Sequence, residues 1–119
     1  MQPSEEKLRN LVQEYSPTAC PAENAAWGRA ALSLDKAHHE AMGRRLEYHA
    51  ARKAAIETHD FPDEAVARAS RAYSEALRAF DTAEAVEREA FFLCAYLVAK
   101  SLGREAADAA ENRLEVVHV

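Results

Sequence analysis

The stretch AALSLDKAHHEAMGRRLEYHAARKAAIE, residues 30–57, decides the predicted fold of this chain. It contains no proline and one glycine, and it is rich in alanine, the residue that favours the helix most. Its small and apolar residues recur every three or four positions, which is the pattern of a helix that packs against another helix. Pro21 suits a first helical turn, and no strong breaker follows before residue 58. The sequence therefore predicts a long helix over about 21–58.

A second long helix is predicted over about 62–100, after a break around residue 60. Asp60 is a suitable N-cap, and Pro62 is tolerated in a first helical turn. The small and apolar residues of the two helices predict two seams that pack together as an antiparallel hairpin, in the manner of a coiled coil. The predicted seam residues are Trp27, Ala30, Leu34, Ala37, Ala41, Tyr48, Ala51 and Ala55 on the first helix and Val66, Ala69, Tyr73, Ala76, Phe80, Ala83, Ala90, Cys94 and Leu97 on the second.

Two short helices are predicted at the ends of the chain. Ser4 is a suitable cap for a helix over 4–15, which the proline-containing segment 16–21 interrupts. Gly103 gives a C-terminal signal after the second long helix, so that a last helix is predicted over 104–116. The sequence thus predicts four helices.

Large apolar side chains are concentrated in residues 91–98, which are apolar on all sides. Such a segment must be covered by several neighbours, and we expect the two short helices to join it in a four-helix head. Because these helices are short for that task, a second chain that completes the cover is the alternative. The whole chain, 1–119, is then a single all-α domain. A break in the second long helix near Asp81 is left open, because the residues that follow have the spacing of a capping box.

The composition argues against other fold classes. Among 119 residues there are 27 alanines but only 3 glycines and 4 prolines. Sandwiches, barrels and α/β sheets need turn residues and β-branched strands, which are scarce here. The formal net charge of −5 and the periodic apolar residues indicate a folded, acidic domain.

The sequence also indicates a cellular compartment. The acidic residues 1–6 lack the sections of a secretory signal, and the longest apolar run, 91–99, is far short of the roughly 20 residues that a membrane span needs. Cys20 and Cys94 are too few and too far apart in the sequence for a disulfide framework or a zinc site. We therefore expect a cytoplasmic protein without a membrane partner.

A second apolar stripe lies off the predicted seam of the first long helix, and it predicts a partner. Burial of an alanine methyl stabilises a fold by only about 0.8 kcal/mol, against about 1.5–3 kcal/mol for a leucine or phenylalanine, so an alanine-seamed hairpin gains from further cover. We expect that cover to be another protein or a second copy that completes a helical bundle as a homodimer. The predicted partner-binding residues are Leu32, His39, Met42, Arg44, Arg45, Leu46, His49, Arg52 and Ile56.

A metal site is an alternative to the partner surface. Asp35 and His38 are one helical turn apart, and the hairpin register predicts that they lie near Glu84 and Glu87. Carboxylates with a histidine three residues on resemble the ligand pattern of metal-binding four-helix bundles, although only one such pair occurs. Glu87 also has another interpretation, as a seam residue that fixes the register. The prediction is no metal and no cofactor, with these four residues as the weak candidates.

Catalysis and direct nucleic-acid binding have less support in the sequence. No phosphate-binding loop, nucleophile elbow or zinc-protease motif occurs, so the protein is predicted not to be an enzyme. A helix-turn-helix at residues 102–103 would make the protein a DNA-binding regulator, but the helix that follows is acidic and phosphate repels the net charge.

These observations predict a non-enzymatic, acidic helical protein that acts by protein–protein interaction. An adaptor, or an inhibitor that occludes its partner, is the role that such a chain fits best. An inhibitor of a host nucleic-acid machine, encoded by a phage or a mobile element, is one such role. The metal-binding bundle protein and the DNA-binding regulator remain the alternatives.

Overall fold

The computed structural model describes the backbone of residues 3–58 and 63–118, and the side-chain surroundings of residues 4–58, 63–105 and 108. Within this part of the chain there are three α-helices and no strand. The helices are α1, Pro3–Ala19; α2, Pro21–Thr58; and α3, Glu64–His118. The predicted all-helical class is confirmed, but three helices take the place of the predicted four.

The predicted end of the first helix at residue 15 is wrong, because α1 continues through Pro17 to Ala19. Backbone bonds in the helical pattern cross the junction: the Cys20 amide donates to the Ser16 carbonyl at 2.9 Å, and the Asn24 amide donates to the Cys20 carbonyl at 2.8 Å. The buried Ser16 hydroxyl also donates to Asn24 Oδ1 at 2.6 Å. These bonds reduce the expected break to one residue, Cys20, between α1 and α2.

The predicted helices over 62–100 and 104–116 are one helix, α3, so the four-helix head is wrong in its helix count. Gly103 lies inside α3 with open space around it, and glycine in a helix interior costs only about 1 kcal/mol relative to alanine. No break occurs near Asp81 either. The Thr82 hydroxyl there donates back to the Arg78 carbonyl at 3.0 Å, within the continuous helix, rather than capping a new one.

The N-terminus of α3 is capped by a different aspartate from the predicted one. The Oδ1 atom of Asp63 accepts from the amides of Ala65 at 2.7 Å and Val66 at 3.2 Å, so α3 begins at Glu64 rather than at residue 62. The predicted cap, Asp60, and Pro62 lie outside the described residues.

The chain divides into two compact units, each described here by itself. The terminal unit comprises residues 1–28 and 88–119, and the middle unit comprises residues 29–87. The core of the terminal unit contains large side chains: Trp27 packs its ring against Phe91 at 5.4 Å between centroids, and the Arg9 guanidinium lies 4.4 Å above the Phe91 ring. The fully or nearly buried apolar residues of this core are Val12, Cys20, Phe91, Cys94 and Val98.

The middle unit buries mainly small side chains. Among the described residues of this unit, the buried apolar ones are all alanines, Ala30, Ala41 and Ala55 on α2 and Ala76 on α3, and Glu87 is buried as well. Aromatic rings make the larger contacts between its two helices. Tyr48 lies 6.1 Å from Tyr73, and His38 lies 5.7 Å from Phe80, measured between ring centroids. Small buried residues allow close approach of the helix axes but contribute little apolar burial per residue.

This packing predicts that enlarging a buried alanine destabilises the middle unit. In Ala55→Leu, the larger side chain has no free volume because Ala55 is 1% exposed, and we expect the free energy of unfolding to fall by about 1–3 kcal/mol. Ala54→Leu is the matched control, since Ala54 is exposed and should change the value by less than about 0.5 kcal/mol. Chemical denaturation followed by circular dichroism measures both. Equal stability of Ala55→Leu and the wild type would contradict close packing at this position.

Candidate functional site

The predicted partner surface on α2 lies in the middle unit and is exposed to solvent. We call Leu32, His39, Met42, Leu46, His49 and Ile56 the α2 stripe. Its four apolar side chains are between 40% (Met42) and 73% (Leu32) exposed. Single exposed leucines are ordinary in proteins, but a row of apolar side chains along one helix is a feature of interaction surfaces.

The spacing of the α2 stripe keeps its members on one side of the helix. Leu32, His39 and Leu46 are seven residues apart, and Met42, His49 and Ile56 form a second row with the same interval. Seven residues fall about 20° short of two full turns, so each row stays aligned along the helix. Two adjacent rows at this interval have the geometry of a coiled-coil seam.

The basic residues around the stripe are not equivalent. Arg45 and Arg52 are exposed beside the row that contains Met42, and the Arg52 guanidinium lies 5.6 Å from the centroid of the Tyr48 ring. Arg44 is about 160° around the helix from Leu46, so it lies on a different side of α2 from the α2 stripe.

Arg44 is instead engaged with its own helix. Its Nη1 donates to Glu47 at 3.0 Å and its Nε to Glu40 at 2.9 Å. The hydrogen bonds that Arg44 donates to Glu47 and Glu40 raise the pKa of Arg44 above its ordinary value. The sequence placed Arg44 with the partner-binding residues because it forms part of a basic cluster. Its spacing of three and four residues from the two glutamates is the signal that assigns it elsewhere.

His39 of the stripe is held against its own helix by Asp35. The Nδ1–H group of His39 donates to the Asp35 carbonyl at 2.8 Å, and the Asp35 carboxylate lies 3.6 Å from the same nitrogen. Both side chains are exposed. The hydrogen bond to Asp35 therefore restricts the His39 ring, which adds a polar group to the stripe between Leu32 and Met42.

The weak metal candidates have different surroundings in the structure. Asp35, His38 and Glu84 are exposed and Glu87 is buried, and the His38 ring packs on Phe80. Across the side chains that the structure describes, no group of three or more histidine, cysteine, aspartate or glutamate residues is arranged to hold a metal ion. The described residues therefore add no support for the metal-binding alternative.

The two cysteines, Cys20 and Cys94, are far apart in the sequence but lie in the same buried core. Cys20 and Cys94 are both buried and free, and their side chains are within hydrogen-bonding contact. Burial raises the pKa of the Cys94 thiol from 9.0 to about 11, and the neighbouring Cys20 and Glu23 act in the same direction. A thiol with a raised pKa is a poor nucleophile at neutral pH, so the buried Cys94 thiol is suited to packing rather than to catalysis.

The terminal unit also contains a depression of about 280 Å³. Among the described residues, its wall combines Lys100 and Arg104 with Glu105 and Asp108. The depression is therefore polar, with charges of both signs.

An exposed apolar surface lies on α3, within the run 91–98. Phe92, Leu93 and Tyr96 are between 49% and 64% exposed, although the run 91–98 was predicted to be covered. The signal was present in the sequence, since a helix that is apolar all round cannot bury every side against two short neighbours.

Comparison with known proteins identifies no relative: no protein-family model, no curated protein and no solved structure matches the chain. No helix within the described residues is long and apolar enough to cross a bilayer. The helix-turn-helix considered at residues 102–103 is wrong, because α3 continues through both residues without a turn.

Proposed function

We propose that this protein is not an enzyme and acts by binding another protein through the α2 stripe, as an adaptor or as an inhibitor that occludes its partner. The observation that carries the proposal is the exposure of Leu32, Met42, Leu46 and Ile56 along one side of α2. An amphipathic helix with anchors at this spacing is suited to a hydrophobic groove or to a partner helix.

The charges around the stripe define the partner further. Arg45, Arg52 and Lys53 are exposed beside or between the apolar anchors. A complementary partner presents an apolar groove with acidic side chains at its rim, because opposite charges at a rim favour association. A nucleic acid lacks the apolar groove, and its phosphates repel a protein whose net charge is −5.

The support behind α2 also favours binding. In this proposal α2 and α3 form an antiparallel hairpin in the middle unit, with α3 packed on the side of α2 opposite the stripe. The contacts Tyr48–Tyr73 and His38–Phe80 support that arrangement, since the residue number rises on α2 as it falls on α3. A helix that is already formed and backed loses less conformational entropy on binding.

Leu46→Glu tests the proposal. The partner is first captured from the native host and identified, and its affinity for purified wild-type and variant proteins is then measured by calorimetry. We expect Leu46→Glu to weaken binding by about 30-fold or more, because it places a charge near the middle of the α2 stripe. Helicity and the unfolding midpoint should not change, since Leu46 is largely exposed.

Val86→Glu is the matched control, because Val86 is exposed in the same unit but on α3. It should bind the partner as the wild type does. Equal loss in both variants, or no loss in Leu46→Glu, would contradict the proposed surface, and unfolding of Leu46→Glu would identify the stripe as core. Stoichiometric iron, manganese or zinc in the purified protein would favour the metal-binding alternative instead. A salt-dependent mobility shift of duplex DNA would favour the DNA-binding regulator.

A further inference from the structure

One side of α3 in the terminal unit is exposed to solvent. Its middle residues are apolar, and a charged residue lies towards each end. We call its residues the α3 outer face: Glu89, Phe92, Leu93, Tyr96, Ala99, Lys100 and Gly103, all of them exposed. The opposite side of the same helix carries Phe91, Cys94 and Val98, which are buried in the core of the unit. Two aromatic rings and a leucine thus remain in water on a segment whose other side is fully packed.

We propose that the α3 outer face binds the same face of a second copy of this chain, with the two helices antiparallel, to form a homodimer. This surface is separate from the α2 stripe, so the dimer does not depend on the function proposed above. A two-fold axis requires that the face be complementary to itself, and its residue pattern meets that requirement.

The register of the dimer follows from the aromatic residues. In an antiparallel pair, Tyr96 of one copy seats between Phe92 and Leu93 of the second copy, and the symmetry repeats the contact. The same register places Glu89 of each copy beside Ala99 and Lys100 of the other. The small side chains at Ala99 and Gly103 leave room for the helices to approach closely.

The charges select this orientation and favour a second copy as the occupant. Neither Glu89 nor Lys100 has an oppositely charged residue three or four positions away in its own helix. The antiparallel register gives each of them an opposite charge, twice per dimer. A parallel pair would place glutamate against glutamate and lysine against lysine, which is unfavourable.

The area of the face sets the strength of the dimer. If each of the three apolar side chains buries about 100 Å², they contribute roughly 300 Å² per copy. A stable interface buries about 800 Å² per partner. The dimer is therefore a weak one, with a dissociation constant on the order of micromolar or above.

Sedimentation velocity from low micromolar to several hundred micromolar protein tests the proposal. We expect a concentration-dependent shift from monomer to dimer in the wild type. Tyr96→Lys should raise the dissociation constant by about tenfold or more. Leu32→Glu, a comparably exposed position on α2, is the control and should leave it unchanged.

Charge reversal distinguishes this dimer from non-specific apolar association. Glu89→Lys and Lys100→Glu each place like charges in contact and should each weaken the dimer. The double variant restores opposite charges and should return to within about threefold of the wild type.

Several results would overturn the proposal: a monomer at every concentration, a dimer that Tyr96→Lys does not weaken, a double charge reversal no stronger than either single variant, or a dimer that Leu32→Glu dissociates. If Tyr96→Lys loses helicity, the charge variants decide alone, since both positions are exposed on the helix surface.

Discussion

Phe91→Ala should lower the free energy of unfolding by about 3–5 kcal/mol, the range for truncating a buried phenylalanine to alanine. Phe91 is 1% exposed and is the largest fully buried side chain among the described residues. Its ring contacts Trp27 and Phe92, and the Arg9 guanidinium lies over it. The variant therefore loses buried apolar surface, leaves a cavity, and loses the contacts of the ring with Trp27, Phe92 and Arg9. Urea denaturation followed by tryptophan fluorescence measures the change, because Trp27 reports on this core.

Phe92→Ala is the matched control, since it removes the same ring one residue further along α3 from an exposed position. At nanomolar concentration, where the proposed dimer is dissociated, it should change the free energy of unfolding by less than about 1 kcal/mol. Similar losses in both variants would contradict the assignment of Phe91 to the core and Phe92 to the surface.

The Cys94 thiol should react with an aromatic disulfide reagent about 100-fold more slowly in the folded protein than in denaturant. Its pKa of about 11, against an ordinary 9.0, lowers the thiolate fraction at pH 8 by about that factor, and burial restricts access further. Peptide mapping by mass spectrometry identifies which of the two thiols has reacted, so the wild-type rate is assigned to Cys94 while Cys20, which contributes to its raised pKa, stays in place. Equal rates in the folded and unfolded states would show that Cys94 is accessible.

The raised pKa of Cys94 also has a consequence for stability. The folded state favours the protonated thiol, so between pH 9 and pH 11 it binds more protons than the unfolded state, and the free energy of unfolding falls as pH rises. This contribution is complete below pH 9.0 and is lost as pH passes through about 11. Cys94→Ala lacks the thiol, so the stability difference between wild type and variant should shift over this interval. A constant difference would contradict the raised pKa.

The helices of this chain were predictable where periodicity is unbroken, and the junctions were not. Residues 30–57 have one spacing throughout, and they form one helix. Gly103 and Pro17 are breakers by propensity, but each costs a limited free energy that the surrounding helix offsets. The one-residue junction between α1 and α2 was not predictable, because the hydrogen bond from the Ser16 hydroxyl to Asn24 that accompanies it has no local sequence signal.

The candidate surfaces also contain some features that the sequence pattern predicts and others that depend on the three-dimensional packing. The α2 stripe was predictable because its seven-residue spacing is written in the sequence, and Leu46 is exposed as an interaction residue must be. Arg44 stays a predicted partner-binding residue, but its hydrogen bonds run to Glu40 and Glu47, one turn away on its own helix. The contact between Cys20 and Cys94 was not predictable, since only the three-dimensional packing of distant segments brings them together.

The junction at Cys20 also bears on the order in which the chain folds. Ser16 and Asn24 are eight residues apart, so closing the contact between them costs little chain entropy. The contacts of Phe91 with α1 and α2, by comparison, require the ends of a loop of more than sixty residues to meet. A turn fixed by local hydrogen bonds can therefore form ahead of the core that it later adjoins, which shortens the search for that core.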